Sequence, residues 1–259
     1  MISVAIAEHV ATVTIDRPPV NAIDLAGLDE LRDAFGDLSD DRDVRCAILT
    51  AAGDRAFMAG VDLREAGNID AYDDTTPPAL VTDPGRRTRD AFAAVSRCAV
   101  PVIGAINGPA LGAGVGFAAC CDILVAAEEA TFGLPEINVG LLGGSAHLAA
   151  LVGPRKAREL LFTGETISAA ELHRLGAVRA VVPRAALMDE ARTLAGSLAA
   201  KSPIAIRLAK EAVDRVEGLP TDDAYRIEQE YTRRLQRFAD AAEARNAYLE
   251  KRPPEWHWR

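Results

Sequence analysis

Glu136 closes the segment Phe132-Gly-Leu-Pro-Glu136, a single carboxylate among apolar neighbours, downstream of the glycine-rich run Ala110-Leu-Gly-Ala-Gly-Val-Gly116. A carboxylate removed from water has its pKa raised toward the range where it can pass a proton back and forth near neutrality. A helix that opens on glycines leaves N–H groups without partners, carries partial positive charge and lets a ligand approach the backbone closely. Upstream, Ala56-Phe-Met-Ala-Gly-Val-Asp62 offers a second turn in which an N–H can stay uncommitted. Two donors and one base suit the stabilisation of an enolate and the movement of a proton. Taken locally, the same residues also fit a glutamate exposed at a strand end and glycines chosen for tight helix packing.

Other chemistries fit less well. A dinucleotide fingerprint starting at Gly112 needs its last glycine at position 117, which is Phe117, and no acidic strand end follows at the required distance. Gly143-Gly-Ser-Ala-His147 has histidine where a nucleophile elbow needs glycine, so Ser145 and His147 are expected to cap and pack the next helix. His9, His147, His173 and His257 lie far apart without metal-ligand spacing.

The chain has 259 residues, 49% hydrophobic and 26% charged, with a net charge of −9. It can bury a full core, and its acidity argues against nucleic acid as a partner, since phosphate binding needs a basic surface. Arg86-Arg87 and Arg233-Arg234 sit beside acids and read as solvated faces. Cys46, Cys98, Cys120 and Cys121 show no disulfide-like spacing and the N-terminus has no basic, apolar leader, which together imply a reduced, cytoplasmic protein. The uncharged stretch from Cys98 to Cys121 is long enough to span a bilayer, but Pro101, Asn107, Pro109 and its glycines make it a buried strand, turn and helix instead of a membrane segment.

The elements that must hold these residues follow from pattern. Val10–Ile15, Val44–Thr50, Val100–Ile106 and Asp122–Ala127 read as strands, and Leu25–Phe35 as a helix, giving an α/β core. Ser168-Ala-Ala-Glu171 is a capping box for a helix ending at Gly176, with a short strand over Ala177–Val182. Ser202-Pro203 and Thr221-Asp-Asp open two more helices. Gly67–Gly85, rich in Asp, Thr and Pro, reads as one long irregular insertion.

Asp16-Arg-Pro-Pro-Val-Asn-Ala22, Ala56–Asp62, Asn107–Gly114 and Phe132–Glu136, in that order, resemble the enoyl-CoA hydratase/isomerase (crotonase) family. Arg158-Glu-Leu-Leu-Phe-Thr-Gly-Glu165 and Glu250-Lys-Arg-Pro carry the likeness nearly to the end. The resemblance implies a crotonase-like spiral of ββα units over 1–195, a C-terminal helical trimerisation region over 196–259, and homotrimers or homohexamers. It implies an acyl-CoA substrate, with coenzyme A as part of that substrate and no prosthetic group. The N–H groups of Val61 and Ala113 would hold the thioester oxygen, with Glu136 as the acid–base residue. Ala22, Ala59, Asp62 and Leu63 would hold the CoA, and Tyr248 and Lys251 would reach it near a subunit boundary.

One position departs from the hydratase pattern. Hydratases of the family carry a second glutamate where this chain has Gly116. A single base favours moving a double bond between carbons over adding water. Hydration with a replacement acid from Asp70, Tyr72, Asp73 or Asp74, hydrolysis, and silent CoA binding stay open.

Overall fold

The computed structural model describes residues 1–62 and 75–259. In chain order the first half holds β1 (Ile2–Ala7), β2 (Val10–Ile15), α1 (Leu25–Asp40), β3 (Cys46–Ala51), α2 (Pro78–Thr82), α3 (Arg86–Ser96) and β4 (Val102–Ile106). Next come β5 (Ala110–Leu111), α4 (Ala113–Ala119), β6 (Ile123–Ala127), β7 (Thr131–Gly133), α5 (Ser145–Thr163), β8 (Thr166–Ser168), α6 (Ala169–Leu175) and β9 (Ala180–Val182). Helices α7 (Leu187–Ala199), α8 (Pro203–Val216), α9 (Thr221–Leu235) and α10 (Ala239–Glu250) complete the chain, and α7 runs without a break through residue 195.

The main sheet has the order β1-β2-β3-β4-β6-β9, and a smaller one the order β5-β7-β8. Only β1 and β2 pair antiparallel in the main sheet, across a turn at Glu8 and His9, both at positive φ. Side chains alternate across the parallel strands as the pleat requires. Ala47, Leu49, Val102, Ile106, Leu124 and Ala126 join the core shared with α1, α4 and α5, while Cys46, Ile48, Ile103, Ala105, Val125 and Ala127 pack under α7. Strands buried on both faces read as continuous apolar runs, which is why β3, β4 and β6 are visible in the sequence.

The expected strands and helices form, with ends moved by a few residues; α1 continues to Asp40, five residues beyond Phe35. Asp24 caps α1 by accepting from Gly27 N at 2.8 Å, Ser168 caps α6 by accepting from Glu171 N, and Ser202 caps α8 ahead of Pro203. The sequence reading omits β1 and the small sheet. It also treats 67–85 as irregular throughout, whereas Pro78–Thr82 is helical; residues 67–74 of that insertion lie outside the described residues.

Two buried amides fasten the turn that follows β3. Asn21, at φ 54°, donates to Ala52 O at 3.0 Å and Ala56 O at 2.9 Å and accepts from Arg17 N at 2.8 Å. Asn107 donates to Ala51 O and Gly53 O. Replacing Asn21 by alanine strands two buried carbonyls and puts a Cβ with no compensating bond in the left-handed region, at a cost of about 3 kcal/mol. In a urea titration the midpoint should fall while the slope stays constant; an unchanged midpoint counts against this fastening role.

Candidate active site

Val61 forms a parallel bridge with Ile23: Ile23 N donates to Gly60 O at 2.9 Å and Asp62 N donates to Ile23 O at 2.7 Å. When both neighbours of a residue bond across a parallel pair, its own N–H faces the other way. The Val61 N–H therefore points away from Ile23, and among the described residues the backbone gives it no acceptor. Ala113 is the first residue of α4, where an N–H has no intrahelical partner, and it too has no acceptor among the described residues.

Two glycines bring these segments together, and a third sets α4 against α3, each for a different reason. Gly112 holds φ 54° and ψ −115°, a conformation that a residue with a Cβ avoids, and a Cβ there would lie 3.4 Å from Gly60 Cα. Its N–H donates to Gly133 O at 3.0 Å, so its own donor is committed and the next one, on Ala113, is left over. Gly114 lets α4 rest on the turn before Val61, since a Cβ would stand 2.5 Å from Met58 O. Gly116 faces an aromatic ring: a Cβ would meet Phe92 Cζ at 2.4 Å and Cε1 at 2.7 Å. Phe92 in turn packs on Phe117 and His147, with ring centroids 4.7 Å away in both cases.

Glu136 lies in the first turn of a 3-10 segment, Pro135–Val139. Its two carboxylate oxygens come within 3.4 and 3.5 Å of the place a Cβ on Gly112 would occupy, which sets the acid beside the entrance to α4. The side chain is half-buried, and Oε2 is sealed from solvent with no hydrogen-bond partner among the described residues. Burial raises its pKa, opposed by a bond from its own backbone N–H. This agrees with the desolvated acid expected from Phe132–Glu136, not with the exposed one.

A cavity of about 730 Å³ contains Gly60, Val61, Gly112, Ala113, Phe92 and Glu136 in its lining, and Glu136 is the one carboxylate among its described lining residues. A second cavity of about 510 Å³ is lined by Ala22 and Asp62 and shares Ala59 and Val61 with the first. Ala22, Ala59 and Asp62 are thus gathered beside the two donors, and Arg17 ties Ala22 to Asp62 by bonding Ala22 O at 2.6 Å and Asp62 Oδ2 at 2.8 Å. Leu63 lies outside the described residues, as do Asp70, Tyr72, Asp73 and Asp74. Tyr248, 83% exposed, and Lys251 stand on and just after α10 and line neither cavity.

Ser145 does not cap α5. The cap position is Gly144, left-handed and without a side-chain bond, while His147 packs against Phe92 and burial lowers its pKa. Sequence reasoning missed Phe92 and the fastening roles of Asn21 and Asn107, although Asn21 sits inside one of the motifs that carried the resemblance. A polar side chain set among the apolar residues Pro-Val and Ala-Ile is the signal that marks it. Among the described residues no cluster of potential metal ligands occurs, and no helix is long and apolar enough to cross a membrane.

A family model described as enoyl-CoA hydratase/isomerase matches residues 5–259. The (7aS)-7a-methyl-1,5-dioxo-2,3,5,6,7,7a-hexahydro-1H-indene-carboxyl-CoA hydrolase of Rhodococcus jostii is 42% identical over 250 residues, covering 96% of this chain and 94% of the relative. The crotonyl-CoA hydratase of Syntrophomonas wolfei is 37% identical over 251 residues, covering 95% and 93%. The crystal structure of an enoyl-CoA hydratase from Bacillus anthracis matches with a TM-score of 0.89 at 34% identity, covering 98% of each chain. The chain belongs to the enoyl-CoA hydratase/isomerase family, whose members act on CoA thioesters, and it has the crotonase fold.

Two outcomes follow from this geometry. A raised folded-state pKa at Glu136 means that its contribution to stability is present below the unfolded carboxylate pKa and is lost as pH rises through the folded one. Glu136→Gln should therefore melt at or above the wild-type temperature at pH 7, the gap closing as pH falls toward 4; a lower melting temperature at pH 7 contradicts the desolvation argument. Gly112→Ala must leave its φ, ψ region or strain it, costing about 1–3 kcal/mol. It should remain folded by circular dichroism while its turnover falls, on the order of 100-fold, because the Ala113 donor moves with it.

Proposed function

We propose that this chain moves the double bond of an enoyl-CoA thioester, with Glu136 as the sole acid–base group. The carboxylate takes a proton from C2 of a 3-enoyl-CoA, and the electron pair spreads through the C3–C4 double bond and onto the thioester oxygen. The N–H groups of Val61 and Ala113 receive that developing charge, each contributing on the order of 3 kcal/mol to the transition state. The same carboxyl group then returns the proton to C4, and the double bond comes to rest between C2 and C3. The CoA lies along the cavity of Ala22, Ala59 and Asp62, with the acyl group in the larger cavity. Tyr248 and Lys251 meet CoA across a subunit boundary formed by residues 196–259 in a trimer or a pair of trimers.

The observation that carries this reading is the isolation of Glu136: one partly desolvated carboxylate beside the Ala113 donor, with no other described carboxylate in the cavity lining. Hydration shares the water and the proton between two acids, whereas transfer from C2 to C4 needs one base on one face. A second reading, hydrolysis of an acyl-CoA with Glu136 activating water, is supported by the named activity of the Rhodococcus jostii relative. In that case the oxyanion cradle serves a different nucleophile.

Three substrates separate these reactions. A 3-enoyl-CoA should be converted to its 2-enoyl isomer faster than a 2-enoyl-CoA is hydrated, and Glu136→Gln should lower that conversion about 1,000-fold. Because the basic form of Glu136 is the active one and burial raises its pKa, kcat/KM should rise with pH through an inflection above the ordinary carboxylate range. Turnover of a 3-oxoacyl-CoA with water, in the absence of isomerisation, establishes the hydrolytic reading and removes the first.

A further inference from the structure

We propose that Phe92 fixes the reaction specificity of the site by holding its ring in the volume where a side chain at position 116 would stand. The inference rests on the reading of Glu136 as the only acid–base group and names the residue that keeps it so. The side chain nearest a Cβ built on Gly116 is Phe92, which lines the larger cavity together with Glu136. Phe92 Cζ, Cε1 and Cε2 lie 2.4, 2.7 and 3.1 Å from a Cβ built on Gly116, too close for any side chain unless the ring moves.

Two other rings back the Phe92 ring. It meets Phe117 edge-on at 68° and His147 at a 54° tilt. It is also the last member of a helical stripe, Gly85, Thr88, Arg89 and Phe92, by which α3 walls the larger cavity. An aromatic edge supplies neither a proton nor a lone pair for water, so among the described lining residues this wall leaves the acyl group one carboxylate, Glu136. The glycine at 116 and the phenylalanine at 92 therefore form a unit: the missing acid is a filled position, not a vacant one.

A cycle of variants tests this. Gly116→Ala should lower the melting temperature by about 5 °C with Phe92 present, because overpacking is costly, and raise it by about 2 °C in a Phe92→Ala background, where alanine simply improves the helix. Equal shifts in the two backgrounds overturn the proposed contact. For the reaction, Gly116→Glu alone should gain no hydration of a 2-enoyl-CoA, whereas Gly116→Glu with Phe92→Ala should hydrate it on the order of 100-fold faster than wild type. Equal hydration by the single and double variants, or none by a folded double variant, overturns the specificity role; if the double variant does not fold, the melting cycle decides. Loss of the Glu136 reading appears separately, as wild-type isomerisation that Glu136→Gln leaves intact, and the melting cycle judges Phe92 regardless.

Discussion

The site depends on leaving two main-chain donors without acceptors among the described residues at the same place. Folding normally pairs such groups, and an amide with no partner is costly unless water or a ligand reaches it. Here the neighbours absorb the constraint. Gly60 O and Asp62 N are both committed to Ile23, and Gly112 N is committed to Gly133 O, so the fixing of the residues beside them leaves Val61 and Ala113 without an acceptor among the described residues. The close approach of Gly60 to Gly112 and the seating of Gly114 on Met58 then join two loops into one surface. In the proposed reaction, donors held this way need no reorganisation when charge develops on a thioester oxygen.

Glu136 is governed by the same economy of partners. Its Oε2 has no hydrogen-bond partner among the described residues, its pKa is raised by burial, and it sits against the Gly112 turn where α4 begins. A base that is poorly solvated at rest is more ready to take a proton, and the helix entrance next to it tempers the cost of its charge. Phe92 completes the arrangement by making the cavity apolar one turn further along α4.

Much of the scaffold was legible in local sequence. β2 was readable to its ends because threonines alternate with buried Ala11, Val13 and Ile15, and the caps at Ser168 and Ser202 depend only on residues three positions away. β1 was not, since its residues are almost all exposed and its stability comes from pairing with β2. β5, β7 and β8 have two or three residues each, too few to show a period. At the site, the glycines and Glu136 marked the chemistry, but naming Val61 and Ala113 required the family resemblance, because a free N–H leaves no trace in residue type. Phe92 was invisible for another reason: its meaning comes from the ring's distance to a glycine on a different helix.

The parallel pairing of β3 with β4 has a kinetic meaning. More than fifty residues of chain intervene between Ala47 and its partner Val102, and a similar span separates Val125 from Ala180. Contacts so remote in sequence form late and slowly, after the entropy of closing large loops has been overcome. The turns bearing Val61 and Ala113 hang from the far ends of these strands, so a half-assembled chain does not bring these two donors together. Turnover in a refolding experiment thus reports the closing of the whole sheet, and no proteolytic fragment that lacks either strand should recover it.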